Sequence, residues 1–264
     1  MNVIVCLKQI PNPDLQFRIA ADGKDIVREG VTFKTNSTDE FALEEAVRIK
    51  EKHGGKVTAI TVGPPRTVQM LREAMAKGAD EAVRVAYDDP AAVDPMQVSR
   101  MLAAAVKAIP HDLILTGVQS DDYAYSETGG LLAGTLGHPH ASVVTKIEIQ
   151  GKEAKVWREL EGGINEVCSL PLPAVVTVQY GMNTPRFAPL PAIMRAAKAT
   201  IKELQAKDLG AASWDAFAAG YSLRVRSVSP PEAKGRAEMI TGKVEDVAKA
   251  VATLLREKGF YRGA

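Results

Sequence analysis

The chain has 264 residues, 46% of them hydrophobic and 25% charged, with a formal net charge of +1. That balance describes an ordinary globular protein with ample core-forming material and excludes extended disorder. No Lys/Arg patch interleaved with aromatics supplies the electrostatic footprint that nucleic acid needs, and no apolar run reaches the ~18 residues of a membrane span.

Met1-Asn2 passes straight into Val3 to Leu7, too short a run for a secretory segment, so a cytoplasmic protein without membrane insertion is expected. Val3 to Leu7 itself reads as a strand. Phe17 to Arg28 follows, and its Asp22-Gly23 is a type I′ turn signal for a small inserted hairpin. Ser37-Thr-Asp-Glu40 matches a capping box and starts a helix through Ala42, Ala46, Val47 and Ile49, which Gly54-Gly55 stops. Val57 to Val62 is the next strand. Pro65 opens a helix through Val68, Leu71 and Ala74 that closes at Lys77-Gly78, and Ala82 to Val85 is a third strand. Asp94-Pro95 begins a helix through Val98, Met101, Leu102 and Val106. Strands alternating with helices in this way predict an α/β fold with a doubly wound parallel sheet and right-handed crossovers.

Leu113 to Gly137 is the most informative stretch. A buried strand runs into a polar loop, and a helix then opens on hydroxyls, an arrangement that aims backbone N–H groups at an anion. A helix N-terminus contributes only about 0.3–1 kcal/mol toward an anion, and Asp121, Asp122 and Glu127 oppose it with no Lys or Arg in the loop. The carboxylates are therefore expected to point away. Ser126 and Thr128 would hold one phosphate, and Tyr123 or Tyr125 would cover an adenine or pack locally. Equally, Ser126 is a plain N-cap.

Beyond residue 141, Ser142 to Ile149 and Ala154 to Leu160 alternate around Gln150-Gly151, and Pro171 to Val178 adds a short apolar strand, so antiparallel strands extend the sheet. Gly181 to Pro191 has three prolines and no period, which predicts a semi-rigid exposed loop before a basic helix from Ala192 to about Gln205. The tail is read as a strand over Tyr221 to Val228, a break at Pro230-Pro231 and an amphipathic helix from Lys243 to Lys258, too thin for its own core. Catalytic constellations are missing: His53, His111 and the His138-Pro-His140 pair lack metal-ligand spacing with a carboxylate, so no metal is assigned. Cys6 and Cys168 are isolated thiols. Any redox or group-transfer chemistry here belongs to a cofactor.

The chain as a whole resembles the β subunit of electron transfer flavoprotein. The resemblance rests on Val3-Ile-Val-Cys-Leu-Lys-Gln9, Glu44-Glu-Ala-Val-Arg-Ile-Lys50, Lys77-Gly-Ala-Asp80, Gly117-Val-Gln119 with Glu127-Thr-Gly129, Arg158-Glu-Leu-Glu-Gly-Gly163, Leu172-Pro-Ala-Val-Val-Thr177 and Pro185-Arg-Phe-Ala-Pro-Leu-Pro-Ala-Ile-Met-Arg-Ala196. It implies a heterodimer in which a larger α subunit holds most of the redox-active FAD. This chain would be an electron carrier, supplying a Rossmann-like domain over residues 1–205, a recognition loop within residues 178–200 and a C-terminal arm, residues 206–264, that packs on the α subunit. Electrons would pass from acyl-CoA dehydrogenase-type flavoenzymes to a quinone reductase. Carried over by position, a structural AMP would meet Cys6, Asn36, Ser37, Thr38, Asp39, Val62, Gly117, Gln119, Ser120, Asp122, Tyr123, Ser126 and Thr128. Pro13 and Glu159 would lie near the FAD of the α subunit. Leu190 between Pro189 and Pro191 would anchor partners, flanked by Arg195 and Lys198.

The sequence also departs from that pattern. Ser126-Glu-Thr-Gly129 stands where the family has Asn-Gln-Thr-Gly, and Pro13 where an aromatic often lies. In electron-bifurcating members a second FAD replaces AMP and NADH is the donor. Their Asp-x-x-x-Gln-Val-Gly loop is not reproduced by Asp122 to Gly129, so AMP is favoured. The alternatives from other classes are a freestanding nucleotide-binding module and a nucleotide-dependent enzyme.

Overall fold

The apolar tetrapeptide Val3–Cys6 forms strand β1 with every residue buried, as a strand covered on both faces requires. Two short strands, Gln9–Pro11 (β2) and Phe33–Thr35 (β3), pair as a separate antiparallel ribbon. The remaining strands join β1 in one sheet: Val57–Gly63 (β4), Glu81–Ala86 (β5), Leu113–Gly117 (β6), His140–Gln150 (β7), Glu153–Glu159 (β8), Asn165–Pro171 (β9), Ala174–Val178 (β10) and Lys202–Leu204 (β11). The computed structural model describes residues 1–88, 94–218, 223, 225–230, 237 and 239–260.

The sheet order is β11-β5-β4-β1-β6-β10-β7-β8-β9. Every pair from β11 to β7 is parallel, and only β8 and β9 run antiparallel. Helices Ser37–His53 (α1) and Thr67–Lys77 (α2) cover one face, where Val3, Val5 and Leu7 pack with Leu43, Val47 and Leu71. Pro95–Val106 (α3) and Thr128–Leu136 (α4) cover the other, where Ile4 and Cys6 pack with Met101, Leu102 and Leu132. The period of two in β1 thus sends alternate residues into two cores. From β1 the chain builds β4 and β5 on one side, then returns through α3 to place β6 on the other. Strand order therefore reverses between β1 and β6, and the crevice outside their carboxyl ends is where such sheets receive ligands.

Several local expectations are corrected. Ser37 does not cap α1; it is the first helical residue, and the N-cap Asn36 makes no side-chain cap bond, because its amide is committed across the cleft. Helix α2 starts at Thr67, two residues past Pro65, with the Thr67 hydroxyl donating to the Pro64 carbonyl. Within Asp22-Gly23 only the glycine has positive φ, whereas a type I′ turn needs it at both residues. The inserted segment there reduces to one bridge, Ile19 to Ile26. Strand β10 is not part of the antiparallel extension: it lies parallel between β6 and β7. The basic helix is shorter than expected, Leu190–Ala196 (α5), and Lys202–Leu204 forms an edge strand instead. Asp94 does cap α3, accepting from the Gln97 amide at 2.7 Å with Pro95 in the first turn.

The chain divides into two units, residues 1–228 and 229–264. In the first, a short helix Asp215–Ala218 (α6) follows Trp214, which meets Tyr87 edge to face. The second holds Val244–Glu257 (α7), whose Val251, Leu254 and Leu255 are exposed. The expected strand over Tyr221 to Val228 lies partly outside the described residues, and Val225 to Val228 form none. Pro231 is outside them too.

Candidate functional site

An open cleft of about 1150 Å³, part of it continuous with solvent, lies over the carboxyl ends of β1, β4 and β6. It occupies the crevice that the strand reversal creates. Cys6 to Gln9 form one wall, Val62 to Arg66 a second and Thr116 to Ser120 a third, with Thr128 and Gly129 at the start of α4. The first-turn amides of a helix have no intrahelical acceptor, so α4 brings donors to this space. A Cβ on Gly129 would overlap the Thr177 methyl and come within 2.8 Å of the Thr116 hydroxyl. Glycine is what lets the helix start sit so close to the strand ends.

The loop from Gly117 is held by a buried polar network centred on α1. Asp39 accepts from the Lys8 amide at 2.7 Å and from the Gly117 amide at 2.9 Å, joining the ends of β1 and β6. Asn36 donates to the Gln119 carbonyl at 2.9 Å and accepts from the Asp121 amide at 2.9 Å; Thr38 donates to the same carbonyl at 2.7 Å. A Cβ on Gly117 would overlap Thr38 Oγ1 and Asp39 Oδ1. Burial pushes the Asp39 pKa up to about 7 against the opposing effect of its N–H donors. Burial, with Asp39 adding to it, raises the Cys6 thiol far above its ordinary value, so Cys6 is packing and not a nucleophile.

The acidic side chains of the loop are turned away from α4, as electrostatics demands. Asp121 accepts from the Ser37 hydroxyl at 2.5 Å and the Tyr180 hydroxyl at 2.8 Å. Burial works the other way, but those bonds hold its carboxyl below the usual range. Asp122 is paired with Lys8 Nζ at 2.6 Å. The same ammonium donates to Ser120 Oγ at 3.1 Å and sits 4.6 Å from the Tyr123 ring centroid. Tyr123 and Tyr125 stack with centroids 5.5 Å apart. Ser126 is not an N-cap: its φ is +56°, Glu127 holds the cap position, and its hydroxyl donates to Gln119 Oε1.

Of the thirteen residues proposed for the nucleotide, Cys6, Asn36, Asp39, Val62, Gly117, Gln119, Ser120, Tyr123, Ser126 and Thr128 line the cleft. Ser37, Thr38 and Asp122 stand behind it and hold its walls. Sequence reading missed two cations, Lys8 and Arg66, which both line it. The signal available for Lys8 was its place just past the end of the first strand. Arg66 lies over the Phe33 ring at 4.3 Å, and burial, then Arg28, lowers its pKa from the ordinary value. Pro13 is exposed beyond β2, outside the cleft lining. Glu159, also exposed, ends β8 and accepts from Gln179, the residue after β10.

A second surface is built by loop 181–189 and α5. Arg186 clamps the loop to α1: its side chain meets Glu44 at 2.8 Å and Glu51 at 2.5 Å, and its amide donates to Glu44. Asn183 donates to the Phe41 carbonyl and to Glu45. Beyond this clamp the apolar side chains face solvent. Phe187 is 96% exposed and Leu190 70%. Ile193 and Met194 are exposed with Leu190 on one helix face. Pro189 is the extended N-cap of α5, Pro191 lies in its first turn, and Arg195 and Lys198 are exposed beside the patch. Sequence reading found Leu190 but not Phe187 or the Arg186 clamp.

Among the described residues, no group of three or more His, Cys, Asp or Glu side chains could hold a metal, and no helix is long and apolar enough to cross a membrane. The family model described as electron transfer flavoprotein domain matches residues 24–209. "Electron transfer flavoprotein subunit beta" of Methylophilus methylotrophus is 38% identical over 268 aligned positions that span both chains entirely. The protein of the same name from Clostridium acetobutylicum is 33% identical, covering 98% of this chain and all of its own. That of Homo sapiens is 37% identical over 80% of this chain and 83% of its own. With that match and these relatives along nearly the full length, the chain belongs to the electron transfer flavoprotein family.

Proposed function

We propose that this chain is the β-type half of a two-subunit electron carrier: it binds AMP structurally in the β1–β6 cleft, shares an FAD held mostly by an α-type subunit, and docks donor flavoenzymes through Leu190. The observation that carries the reading is the cleft itself. Gly117 and Gly129 sit where a Cβ would collide, the start of α4 opens into the space, and Asp121 and Asp122 are tied to Ser37, Tyr180 and Lys8. That donor set fits a nucleotide phosphate, and Lys8 and Arg66 supply the positive charge that the loop lacks. The stacked Tyr123–Tyr125 pair offers an aromatic face to a purine.

A flavin supplies the redox chemistry when bound. The residues of this chain position and dock. Pro13 and Glu159, exposed and outside the cleft, are free to meet a flavin held on a partner subunit. The patch of Phe187, Leu190, Ile193 and Met194 suits insertion into an apolar pocket of an acyl-CoA dehydrogenase-type flavoenzyme. Its prolines and the Arg186 clamp lower the ordering cost of docking. Delivery to a quinone reductase completes the circuit.

The test is co-expression with a neighbouring α-type gene. We expect a yellow heterodimer that releases one FAD and one AMP on heating. Two FAD and no AMP would support the bifurcating reading, with NADH as donor. A stable colourless monomer that turns over ATP or NADH unaided would overturn the proposal.

A further inference from the structure

At the amino edge of the sheet, opposite the cleft, two histidines that are 27 residues apart in sequence meet ring to ring. His111 precedes β6, His138 follows α4, and their Nε2 atoms are 3.2 Å apart. His111 Nδ1 lies 2.7 Å from the Ile109 carbonyl. A carbonyl only accepts, so Nδ1 carries the proton and Nε2 is a bare lone pair. The His138 ring also bonds the Gly137 carbonyl; since its Nε2 faces His111, the nitrogen engaged there is Nδ1, and its Nε2 is bare as well. Two bare nitrogens at this distance repel unless a cation lies between them.

The geometry points to a divalent transition-metal site of the imidazole-binding class, zinc or copper, held by His111 Nε2 and His138 Nε2 with waters completing the shell. Metal–imidazole bonds of about 2.0–2.1 Å place two ligands about 2.8 Å apart at a right angle and about 3.4 Å apart at the tetrahedral angle. The observed 3.2 Å lies between them. Each ring already has the outer support that such ligands use, an Nδ1–H donated to a backbone carbonyl. Burial, then His111, holds His138 below the ordinary imidazole pKa, which leaves its nitrogen available at neutral pH. The proton that otherwise bridges the pair is released to solvent when the metal binds. The two ligands bracket the segment that contains β6, the cleft loop and α4, so the ion closes that unit at the end remote from the cleft.

The full chain is titrated with Zn2+ and Cu2+ at neutral pH and followed by competition with a chromophoric chelator and by thermal melting. One equivalent is expected to bind, raise the melting temperature and release protons. His111→Gln and His138→Gln each weaken binding at least about tenfold, the loss that even an outer-sphere change brings, while the exposed His53→Gln leaves it unchanged. Paramagnetic resonance of Cu2+ on the unmutated chain reads the ligands directly, so the test stands even where a variant folds poorly: coupling to two imidazole nitrogens is expected. No stoichiometric binding, binding retained in the double variant, or binding that follows His140 instead of His111 would overturn the assignment.

Discussion

At the β1–β6 crevice the polar atoms are buried and partnered, whereas on loop 181–189 and α5 the polar atoms lie beneath and the apolar side chains face water. Asp39 and Asn36, 5% and 1% exposed, bond the ends of two strands and the loop between β6 and α4. Phe187 and Leu190 touch little of their own chain. The contrast teaches what each task requires. A cleft for a small polar ligand must hold amides and hydroxyls in place without water, so its own polar groups bond one another first. A docking surface must keep apolar area available for a partner, and only its base is fixed, here by Arg186 on Glu44 and Glu51.

The largest effect is expected at Gly117. Alanine there drives a methyl group into Thr38 Oγ1 and Asp39 Oδ1, both already committed to hydrogen bonds. Neither is the free end of a flexible side chain, so the network must open. A loss of about 2–3 kcal/mol in urea unfolding is expected, with loss of retained nucleotide. An unchanged midpoint would mean that the crevice yields like a surface. At Arg186 the expectation separates the two regions: Arg186→Ala removes the clamp and leaves the half-compensated, buried Glu44 with Arg48 alone. Because Arg186 is itself partly exposed, the cost is about 1–2 kcal/mol. Nucleotide content stays intact, and electron acceptance from a donor flavoenzyme falls because loop 181–189 is no longer ordered. Loss of nucleotide in this variant would show that the two regions are not independent.

Titration sharpens the same contrast. The Asp39 carboxyl ionises at its ordinary value of 3.8 in the unfolded chain and is pushed up to about 7 by burial in the fold. Its contribution to stability is therefore full below the unfolded value and lost progressively as pH rises from 3.8 through about 7. Asp39→Asn removes that slope. Its stability relative to the unmutated chain is expected to rise across the window, beside a constant penalty for placing an amide N–H among the Lys8 and Gly117 donors. Parallel curves in chemical denaturation at stepped pH would contradict the assignment.

The parts of the molecule that local pattern specifies were readable from the chain. β1, β4, β5 and β6 are short apolar runs, and α1 to α4 carry apolar stripes, so the doubly wound core and the loop between β6 and α4 follow from period alone. What escaped depends on residues distant in sequence. Lys8 reads as the polar end of a strand, yet its ammonium reaches Ser120 and Asp122. Asp39 reads as an acidic residue in a helical first turn and is instead a buried link between β1 and β6. Lys202–Leu204 has no strand signature of its own and pairs only because β5 leaves an open edge. Ser126 looked like a cap, but the loop closes on Gln119 and turns it to positive φ. Tertiary partners overrode local preference in each case.

The smallest effect on folding, and the sharpest on docking, is expected at the tip of the exposed patch. Leu190 and Phe187 are 70% and 96% exposed, so truncating either to alanine changes stability by no more than about 0.5 kcal/mol. Melting temperature and nucleotide content stay unchanged. A side chain that fills a partner's pocket, by contrast, contributes about 2 kcal/mol or more to the complex, roughly a 30-fold change in affinity. Leu190→Ala is therefore expected to slow reduction by a cognate dehydrogenase at limiting concentration, with the rate recovering at saturation. Phe187→Ala run beside it asks whether the anchor is one residue or the patch: equal losses make Phe187 part of the inserted surface, and a loss confined to Leu190 leaves the phenyl ring at the rim. An unaltered rate in both variants would remove the patch from the docking surface and break the division between a sealed cleft and an open landing face.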